Sequence, residues 1–536
     1  MMFADKVLYN GRIHTMEPFS PRAQAIALNG SHITALGSNE AIRPLLDPSG
    51  SAIDLKGRTV VPGFIDSHVH FVLFSLNLQR VDLSGDRTKA EALERVKARA
   101  QIATPGEWIL GGGWDRNVWE DSAFPTRQDL DAVAPRHPVV LDSKDVHTMW
   151  LNSLALQQAC ITAETPDPSG GEIVRDATGC PTGILRERAQ QLVNEMKTRP
   201  SASAYRAAVR EGIRRAHRAG VTGVHDCEDE QAFITFQELA EAGELDCRVL
   251  MHLAVGNLEA AVRVGLRSGF GGDRLRIGGL KVFVDGALGS RSAYMLEPFT
   301  GEPDNRGMVV TDRAMLERLV RRASAAGISS AIHAIGDAAN RQALDVLAVA
   351  RSQECDRRLR HRIEHAQLLS LTDIPRFAEL DVIASMQPQH ATSDIDLVER
   401  HWTGERIAGA YAWRKLLNTG ARLTFGSDAP VEAMNPLLGI HAAVTRRRAD
   451  GYPGPEGWRA EERLTVEEAV RGFTIDAAYA SGEENLKGSL APGKLADLVI
   501  LSQDIFTIPP MEIAGTQVEA TLFDGRFAYG EPASFD

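Results

Sequence analysis

Two histidines one residue apart end an apolar stretch early in the chain, in VPGFIDSHVHF (residues 61–71). Strand side chains alternate between two faces, so His68 and His70 point to the same side. Two packed histidines would satisfy this pattern. Two metal ligands would satisfy it equally well, since neutral imidazole commonly binds zinc and related ions. The choice depends on what the rest of the chain brings to the same place.

Other metal-compatible side chains stand at or near the ends of further strand-like stretches: Lys281 in GGLKVFVDG, His333 in ISSAIHAIG, His365 in RIEHAQ and Asp428 in GSDAPVE. A lysine that points inward among apolar neighbours is costly to bury as a cation. Two interpretations of Lys281 stay open. It is either paired with a carboxylate, or carboxylated by CO2 so that it bridges two divalent ions.

The middle of the chain alternates apolar, β-branched stretches with amphipathic helical stretches, which favours an α/β fold. Eight such strands favour a (β/α)8 TIM barrel rather than an open sheet, although an open doubly wound sheet also fits the strand count alone. Barrel active sites form at the carboxyl ends of the strands. The predicted strands lie in VVPGFIDSHVH, VTGVHDC, CRVLMHLAV, IGGLKVFVDG, ISSAIHAIG, RIEHAQLL, VIASMQPQH and RLTFGSDAPV. The six candidate groups then converge at one face of the barrel.

Both ends of the chain are rich in short strands and turns. Asn-Gly pairs at residues 10–11 and 29–30 separate apolar runs, a pattern typical of β-hairpins. We expect residues 1–62 and 487–536 to form one small β-sandwich, with the barrel over residues 63–486, since the ends of a domain often lie close together.

Residues 104 to about 190 break the alternation and predict an insertion after the first barrel strand. They contain a strand candidate, HPVVLDSKDVH, and a hairpin-like EIVRDATGCPTGIL. Loops that follow barrel strands lie at the active-site face, so this insertion is a candidate cap. HPVVL as the second barrel strand is the alternative.

Composition excludes several classes of protein. The 536 residues carry a net charge of −12, which gives no electrostatic footprint for nucleic acid or an anionic membrane. No apolar run is long enough to span a bilayer, and the first residues lack the pattern of a signal peptide. The five cysteines are scattered, which argues against a disulfide framework. A cytoplasmic location is expected.

The chain resembles the metal-dependent amidohydrolase superfamily, and within it the amidohydrolase 3 group that includes N-substituted formamide deformylases. The resemblance runs over essentially the whole length, in the motifs VPGFIDSHVH, GGGWDRNVW, HTMWLNSLAL, PDPSGGEIVRDATGCPTGIL, KVFVDGALGSR, HAIGDAAN, RIEHAQ, SMQPQH, GSDAPVE and GSLAPGKLADLVIL. It implies a distorted (β/α)8 TIM barrel plus a small β-sandwich formed by both termini, and places the metal ligands at His68, His70, Lys281, His333, His365 and Asp428. Two divalent ions per chain, zinc first, bridged by carboxylated Lys281, are then expected.

This resemblance predicts a hydrolase of non-peptide carbon–nitrogen bonds that acts on a small N-substituted formamide or another N-acyl compound. A metal-bound hydroxide is the expected nucleophile, and Asp428 the expected proton shuttle. Cyclic amides, esters and deamination substrates stay open on the same site, as does a non-catalytic regulatory role. A homo-oligomer, most simply a dimer, is also expected.

A last group of residues is predicted to contact the substrate: His147, Trp114, Asp115, Asp285, Arg291, Gln387 and His390. For His147 and Trp114, packing within the insertion is the alternative. For Arg291, the alternative is pairing with a carboxylate. His225 and His252, near the ends of the second and third barrel strands, are expected to be core histidines.

Overall fold

The computed structural model describes residues 3–531 except positions 79, 117–118, 120–122, 144–147, 169–170, 195–199, 290 and 354–358. The chain divides into two compact units. One joins Met1–Phe74 to Val209–Asp536, and the other is Ser75–Ala208. The first unit holds a barrel and a sandwich, and the second holds the segment predicted as an insertion.

The eight predicted barrel strands form one parallel sheet in chain order. The strands are β8 (Phe64–Val69), β15 (Val221–Asp226), β16 (Arg248–Ala254), β17 (Leu275–Phe283), β18 (Ser330–Ala334), β19 (Arg362–His365), β20 (Ile383–Met386) and β21 (Leu423–Phe425). Most of their residues are buried, as expected where parallel strands are covered on both faces. The predicted fold class is therefore confirmed.

The first and last barrel strands meet at a seam of side-chain and backbone hydrogen bonds. The Ser427 N–H (2.9 Å) and the Ser427 hydroxyl (2.5 Å) both donate to the Asp66 carboxylate. The Asp428 N–H donates to the carbonyl of His68 over 2.8 Å. A Cβ at Gly426 would lie 2.4 Å from the His68 nitrogen, so only glycine allows this approach. The seam brings the ends of β8 and β21 together.

A β-sandwich combines both chain ends. One sheet has the order β5-β4-β1-β6, from β1 (Ala4–Tyr9), β4 (Ala25–Asn29), β5 (His32–Gly37) and β6 (Leu46–Asp54). The other has the order β24-β23-β22-β7-β2-β3, from β2 (Arg12–His14), β3 (Arg22–Ala23), β7 (Thr59–Pro62), β22 (Leu498–Leu501), β23 (Val518–Phe523) and β24 (Arg526–Tyr529). Strand β22 pairs antiparallel with β7, so both ends of the chain share one sheet.

Only one of the two predicted Asn-Gly hairpins forms. Strands β4 and β5 pair antiparallel around Asn29-Gly30. The prediction at Asn10-Gly11 was wrong, because β1 and β2 belong to different sheets. There the Gly11 N–H donates to the Gln24 carbonyl, and a Cβ at Gly11 would lie 2.5 Å from Leu55. The turn therefore carries the chain from one sheet to the other.

The second unit has its own six-stranded mixed sheet, in the order β13-β14-β12-β11-β10-β9. Its strands are β9 (Val81–Asp82), β10 (Ile109–Trp114), β11 (Val139–Ser143), β12 (Thr148–Leu151), β13 (Gly171–Arg175) and β14 (Pro181–Glu187). HPVVL falls in β11 and is not a barrel strand. Strands β13 and β14 form the antiparallel pair expected from EIVRDATGCPTGIL.

Helices cover the sheets: α1 (Asn39–Ile42), α2 (Phe71–Asn77), α3 (Lys89–Ile102), α4 (Arg127–Val133), α5 (Ser153–Gln158), α6 (Gln191–Asn194), α7 (Ala202–Arg218), α8 (Glu230–Glu241), α9 (Leu258–Arg263), α10 (Arg313–Ala325), α11 (Asp337–Gln353), α12 (Ile374–Glu379), α13 (Pro388–Ser393), α14 (Ile395–His401), α15 (Trp413–Asn418), α16 (Pro436–Thr445), α17 (Val466–Gly472) and α18 (Ile475–Ala480). Gly220, at φ 79°, follows α7 as a left-handed C-terminal glycine. No helix in the described part of the chain combines the length and apolar character that crossing a membrane requires.

Replacing Asp66 with Asn tests the seam. The variant keeps the size of the side chain but replaces one of the two acceptor oxygens with an NH2 group, which then faces either the Ser427 N–H or the Ser427 hydroxyl. We therefore expect a loss of about 1–3 kcal/mol in the free energy of unfolding. Urea unfolding followed by circular dichroism measures the change. The exposed Asp304→Asn variant is the control, with an expected change within about 0.5 kcal/mol. Equal midpoints for the two variants would contradict this role of Asp66.

Candidate metal centre

Three predicted ligands from the seam strands lie together. The Nε2 atoms of His68 and His70 are each 3.5 Å from Asp428 Oδ1, and the ligand atoms of the three residues lie within 4.8 Å of one another. His68 and Asp428 are buried, and His70 is about a quarter exposed. Two imidazoles and a carboxylate at this spacing form a nitrogen–oxygen donor set that suits a divalent transition metal.

Two more histidines continue the cluster from neighbouring strands. The His365 ring lies 4.8 Å from the His68 ring and 4.5 Å from the His333 ring, centre to centre. The Nε2 atom of His333 is 3.1 Å from the Gly286 carbonyl. The structure thus brings His333 beside His365, with one of its ring nitrogens bound to the backbone.

Lys281 lies in β17 with its side chain buried. Among the described residues its Nζ atom has no hydrogen-bond partner, and it lies 4.9 Å from the centre of the Phe283 ring. The alternative in which a carboxylate pairs with Lys281 therefore does not fit the described residues. An unpaired ammonium at this buried position would be costly. A group that converts the amine into a metal-bridging carboxylate would remove that cost.

Two properties of these side chains fit a bound metal: neutral imidazole rings, and ligand atoms that have no hydrogen-bond partner. Burial lowers the pKa of His70 to about 4 and that of His333 to about 3. Both rings are therefore neutral near pH 7, the form that binds metals. His365 Nδ1 and Asp428 Oδ1 have no hydrogen-bond partner among the described residues. Burial also lowers the pKa of His68, but Cys227 and Glu364 raise it to about 9, so a metal would displace a proton there.

His390, predicted as a substrate contact, instead bridges two carboxylates. Its Nε2 atom lies 3.3 Å from Asp428 Oδ2, and its Nδ1 atom lies 3.4 Å from Glu432. Burial alone would lower the pKa of His390, but these two hydrogen bonds raise it to about 10. A ring protonated at both nitrogens has no lone pair for a metal. His390 therefore fits a donor that orients Asp428, although it also lies within ligand distance of His365 and Asp428.

Glu364 orients His68 through a contact with its Nδ1 atom. Its Oε2 atom is 2.6 Å from His68 Nδ1, and its other oxygen is 2.5 Å from Nε of Arg362. Burial would raise the pKa of Glu364, but the Arg362 cation and His68 hold it well below its usual range. A carboxylate on Nδ1 fixes the tautomer that leaves Nε2 free for a metal.

Arg362 is itself held by two histidines. Its guanidinium contacts His225 Nδ1 at 2.8 Å and His252 Nε2 at 2.5 Å. Burial and the arginine cation lower the pKa of both histidines well below the usual value, so both rings accept hydrogen bonds. These two histidines belong to the buried support of the site and lie off the metal cluster, as expected for core residues.

Three other predicted substrate contacts have different surroundings. The buried Asp285 accepts backbone N–H groups from Tyr294, Ile335 and Gly336 at 2.8–3.0 Å. It therefore anchors loops, which corrects the expectation of substrate contact. The half-exposed Arg291 pairs with Glu302, the alternative stated for it. Gln387 is buried where α13 begins, and its Nε2 atom lies 3.4 Å from the Ser385 carbonyl.

The remaining predicted contacts lie in the second unit. Trp114 is 2% exposed, packs with Trp119 and Trp150, and donates its indole N–H to the Leu141 carbonyl over 2.9 Å. This environment favours packing over a pocket wall. Asp115 is half-buried beside it. His147 lies outside the described residues.

Sequence reasoning missed Glu364, Glu432 and the pairing role of Asp66. The signal for Glu364 was an acidic residue inside a buried strand, which requires a partner. Strand alternation would place Glu364 and His365 on opposite faces. However, His365 has a left-handed backbone, with φ 71°, so both side chains reach the cluster. Glu432 carried no signal, because its contact depends on the loop after β21.

Known proteins that are similar in sequence and structure identify the family of this chain. A family model described as Amidohydrolase family matches residues 51–529. The Protein LONG AFTER FAR-RED 3 of Arabidopsis thaliana is 35% identical, over 98% of this chain and 92% of that protein. The N-substituted formamide deformylase of Arthrobacter pascens is 30% identical over 99% of each chain. The crystal structure of an uncharacterized metal-dependent hydrolase from Pyrococcus furiosus has a TM-score of 0.78 at 30% identity, over 94% of this chain and all of that one.

The model match covers well over half of the chain, and the relatives align along nearly its whole length. The chain therefore belongs to the amidohydrolase family of hydrolases, and the resemblance inferred from its motifs is confirmed.

Replacing Glu364 with Gln tests the support of His68. The amide cannot match the negative charge of Glu364, so we expect about 10–100-fold weaker metal binding. Competition with a chromophoric chelator measures the affinity, and mass spectrometry gives the metal content. Glu379→Gln, at an exposed position on the helix after the same strand, is the control. Unchanged metal affinity in Glu364→Gln would remove Glu364 from the site.

Proposed function

We propose that this protein is a metal-dependent hydrolase that cleaves a non-peptide carbon–nitrogen bond in a small molecule, with an N-substituted formamide or another N-acyl compound as substrate. The observation that carries the proposal is the cluster of imidazoles around Asp428. The near-full-length similarity to an N-substituted formamide deformylase supports the substrate class.

The residues that would hold the metal are His68, His70, His333, His365 and Asp428, with carboxylated Lys281 between two ions. Zinc is the first candidate, because it accepts this mixed imidazole and carboxylate set. When bound, such a metal lowers the pKa of a water molecule and polarises a carbonyl oxygen.

Asp428 is the candidate proton carrier. Its Oδ1 atom faces His68 and His70, whereas Oδ2 accepts a hydrogen bond from His390. The contact with His390 holds the pKa of Asp428 well below its usual range, although burial alone would raise it. An ionised carboxylate is able to take a proton from the attacking water and return it to the leaving nitrogen. His390 and Glu432 keep it oriented for both transfers.

Replacing Asp428 with Asn should lower kcat on a cleaved N-acyl substrate by about 10²–10⁴-fold, because the amide cannot accept the proton. Most of the metal should stay bound through the histidines. Formate or amine release measures turnover, and mass spectrometry measures metal per chain. Asp450→Asn, an exposed carboxylate in the loop after α16, is the control. Near-native turnover in Asp428→Asn would refute this role.

Metal content tests the bridge. Protein loaded with zinc and bicarbonate should hold two ions per chain, and the Lys281→Ala variant should hold one or none. Depleting CO2 before loading should lower the wild-type content in the same direction. One ion in the wild type would keep the hydrolase but refute the bridge. No ion at all would favour a non-catalytic role. The dimer stays a prediction from the resemblance.

A further inference from the structure

Phe283 occupies an unusual place for a large apolar side chain. It ends β17 two residues after Lys281, so both side chains project to the same face of the strand. Its ring centre is 4.9 Å from Lys281 Nζ and 5.0 Å from the centre of the His333 ring. Yet the residue is 41% exposed. One side of the ring touches the candidate metal ligands, and the rest is open.

More exposed apolar side chains belong to a segment that is hydrogen-bonded to the chain beside Phe283. Met308, Val309 and Val310 are 63%, 45% and 58% exposed. The Val310 N–H donates to the carbonyl of Val284 over 2.8 Å, which ties this segment to the chain directly after Phe283. We call Phe283 and Met308–Val310 the apolar lip. Exposed apolar side chains grouped beside a polar site are typical of a binding surface.

We propose that the apolar lip binds an apolar group of the substrate, and that Phe283 is a residue that determines specificity. This inference rests on the proposed function, because it names the substrates that the metal centre would accept. An alkyl or ring substituent next to the scissile bond would cover the open face of Phe283 while the reacting carbonyl lies at the metal centre. Burial of the substituent would then contribute to binding.

A cationic substituent is the competing class, since an aromatic face also attracts ammonium groups. The side chains of Met308, Val309 and Val310 offer such a cation no charged or strongly hydrogen-bonding partner. An apolar substituent gains free energy by burying surface against the four apolar side chains. A cation is attracted only by the ring, and it pays a desolvation cost against the other three side chains. The composition of the lip therefore favours the apolar class.

The first test uses metal-directed probes that differ in one group. Isothermal titration calorimetry on the zinc-loaded full-length protein compares cyclohexanecarbohydroxamate with acetohydroxamate. The wild type should bind the cyclohexyl probe at least tenfold more tightly, and Phe283→Ala should lose about tenfold of that preference. The affinity for acetohydroxamate should change less than twofold. Metal content is measured for every variant, because Phe283 touches Lys281 and His333.

Two variants serve as controls. Phe283→Leu keeps an apolar side chain and should retain most of the preference. Phe270→Ala removes a phenylalanine that is 66% exposed in the loop before β17, and should leave the preference unchanged. An equal preference in the wild type and Phe283→Ala would overturn the proposal. Tighter binding of a hydroxamate with an ammonium substituent than of the cyclohexyl probe would overturn the apolar class.

Kinetics separates this inference from the proposed function. The ratio of kcat/KM for N-cyclohexylformamide to that for N-methylformamide should be high in the wild type and fall about tenfold in Phe283→Ala. If neither amide is cleaved but the hydroxamate preference depends on Phe283, the proposed function is contradicted and the role of the apolar lip is supported. If both amides are cleaved and the ratio is the same in the wild type and Phe283→Ala, the role of the apolar lip is contradicted. If neither hydroxamate binds the zinc-loaded protein, the lip has no metal centre to serve and the inference is wrong.

Discussion

The contact between the first and last barrel strands is the constraint on which the site depends. His68 and His70 come from one edge of the eight-stranded sheet, and Asp428 follows the other. In place of a hydrogen-bonded ladder, the Asp66 carboxylate and the Asp428 N–H connect the edges. Asp66 lies two residues before His68, and the N–H group belongs to Asp428 itself, so both contacts fix the positions of candidate ligands. The contacts that close the barrel therefore also bring His68, His70 and Asp428 together. Gly426 permits this closure because it leaves room for the His68 backbone.

The buried charged side chains next to the histidine cluster each have a partner. Arg362 balances Glu364, Glu364 fixes His68, and two neutral histidines accept from Arg362. Removing one member of such a set leaves an uncompensated buried charge, which costs more than the set gains as a whole. This explains why the strands carry arginine and glutamate where apolar residues would pack more simply: the polar set holds one imidazole in one tautomer.

The sequence predicted the strands well because they are apolar, evenly spaced and ended by polar residues. It predicted individual contacts less well, because these depend on local backbone. The left-handed conformation of His365 turns its ring to the same side as Glu364, and no periodicity shows this. Asn10-Gly11 has the composition of a hairpin turn but joins two sheets, because long-range pairing overrides local preference. Asp285 was expected to contact the substrate, yet it follows the end of β17 and backbone donors from later segments occupy its carboxylate.

The chain from Lys281 to Asp285 shows how one extended segment serves three purposes. A spacing of two places Lys281 and Phe283 on one face of β17, where the Phe283 ring lies beside Lys281 and His333. Asp285 follows the end of the strand and holds the backbone after His333, at Ile335 and Gly336. Phe283 therefore lies between two buried residues along the chain, while its own side chain stays partly open. Because Asp285 ties the chain after β17 to the segment after β18, the backbone next to Phe283 is held in place, and a substrate group that covers the ring need not order this part of the chain.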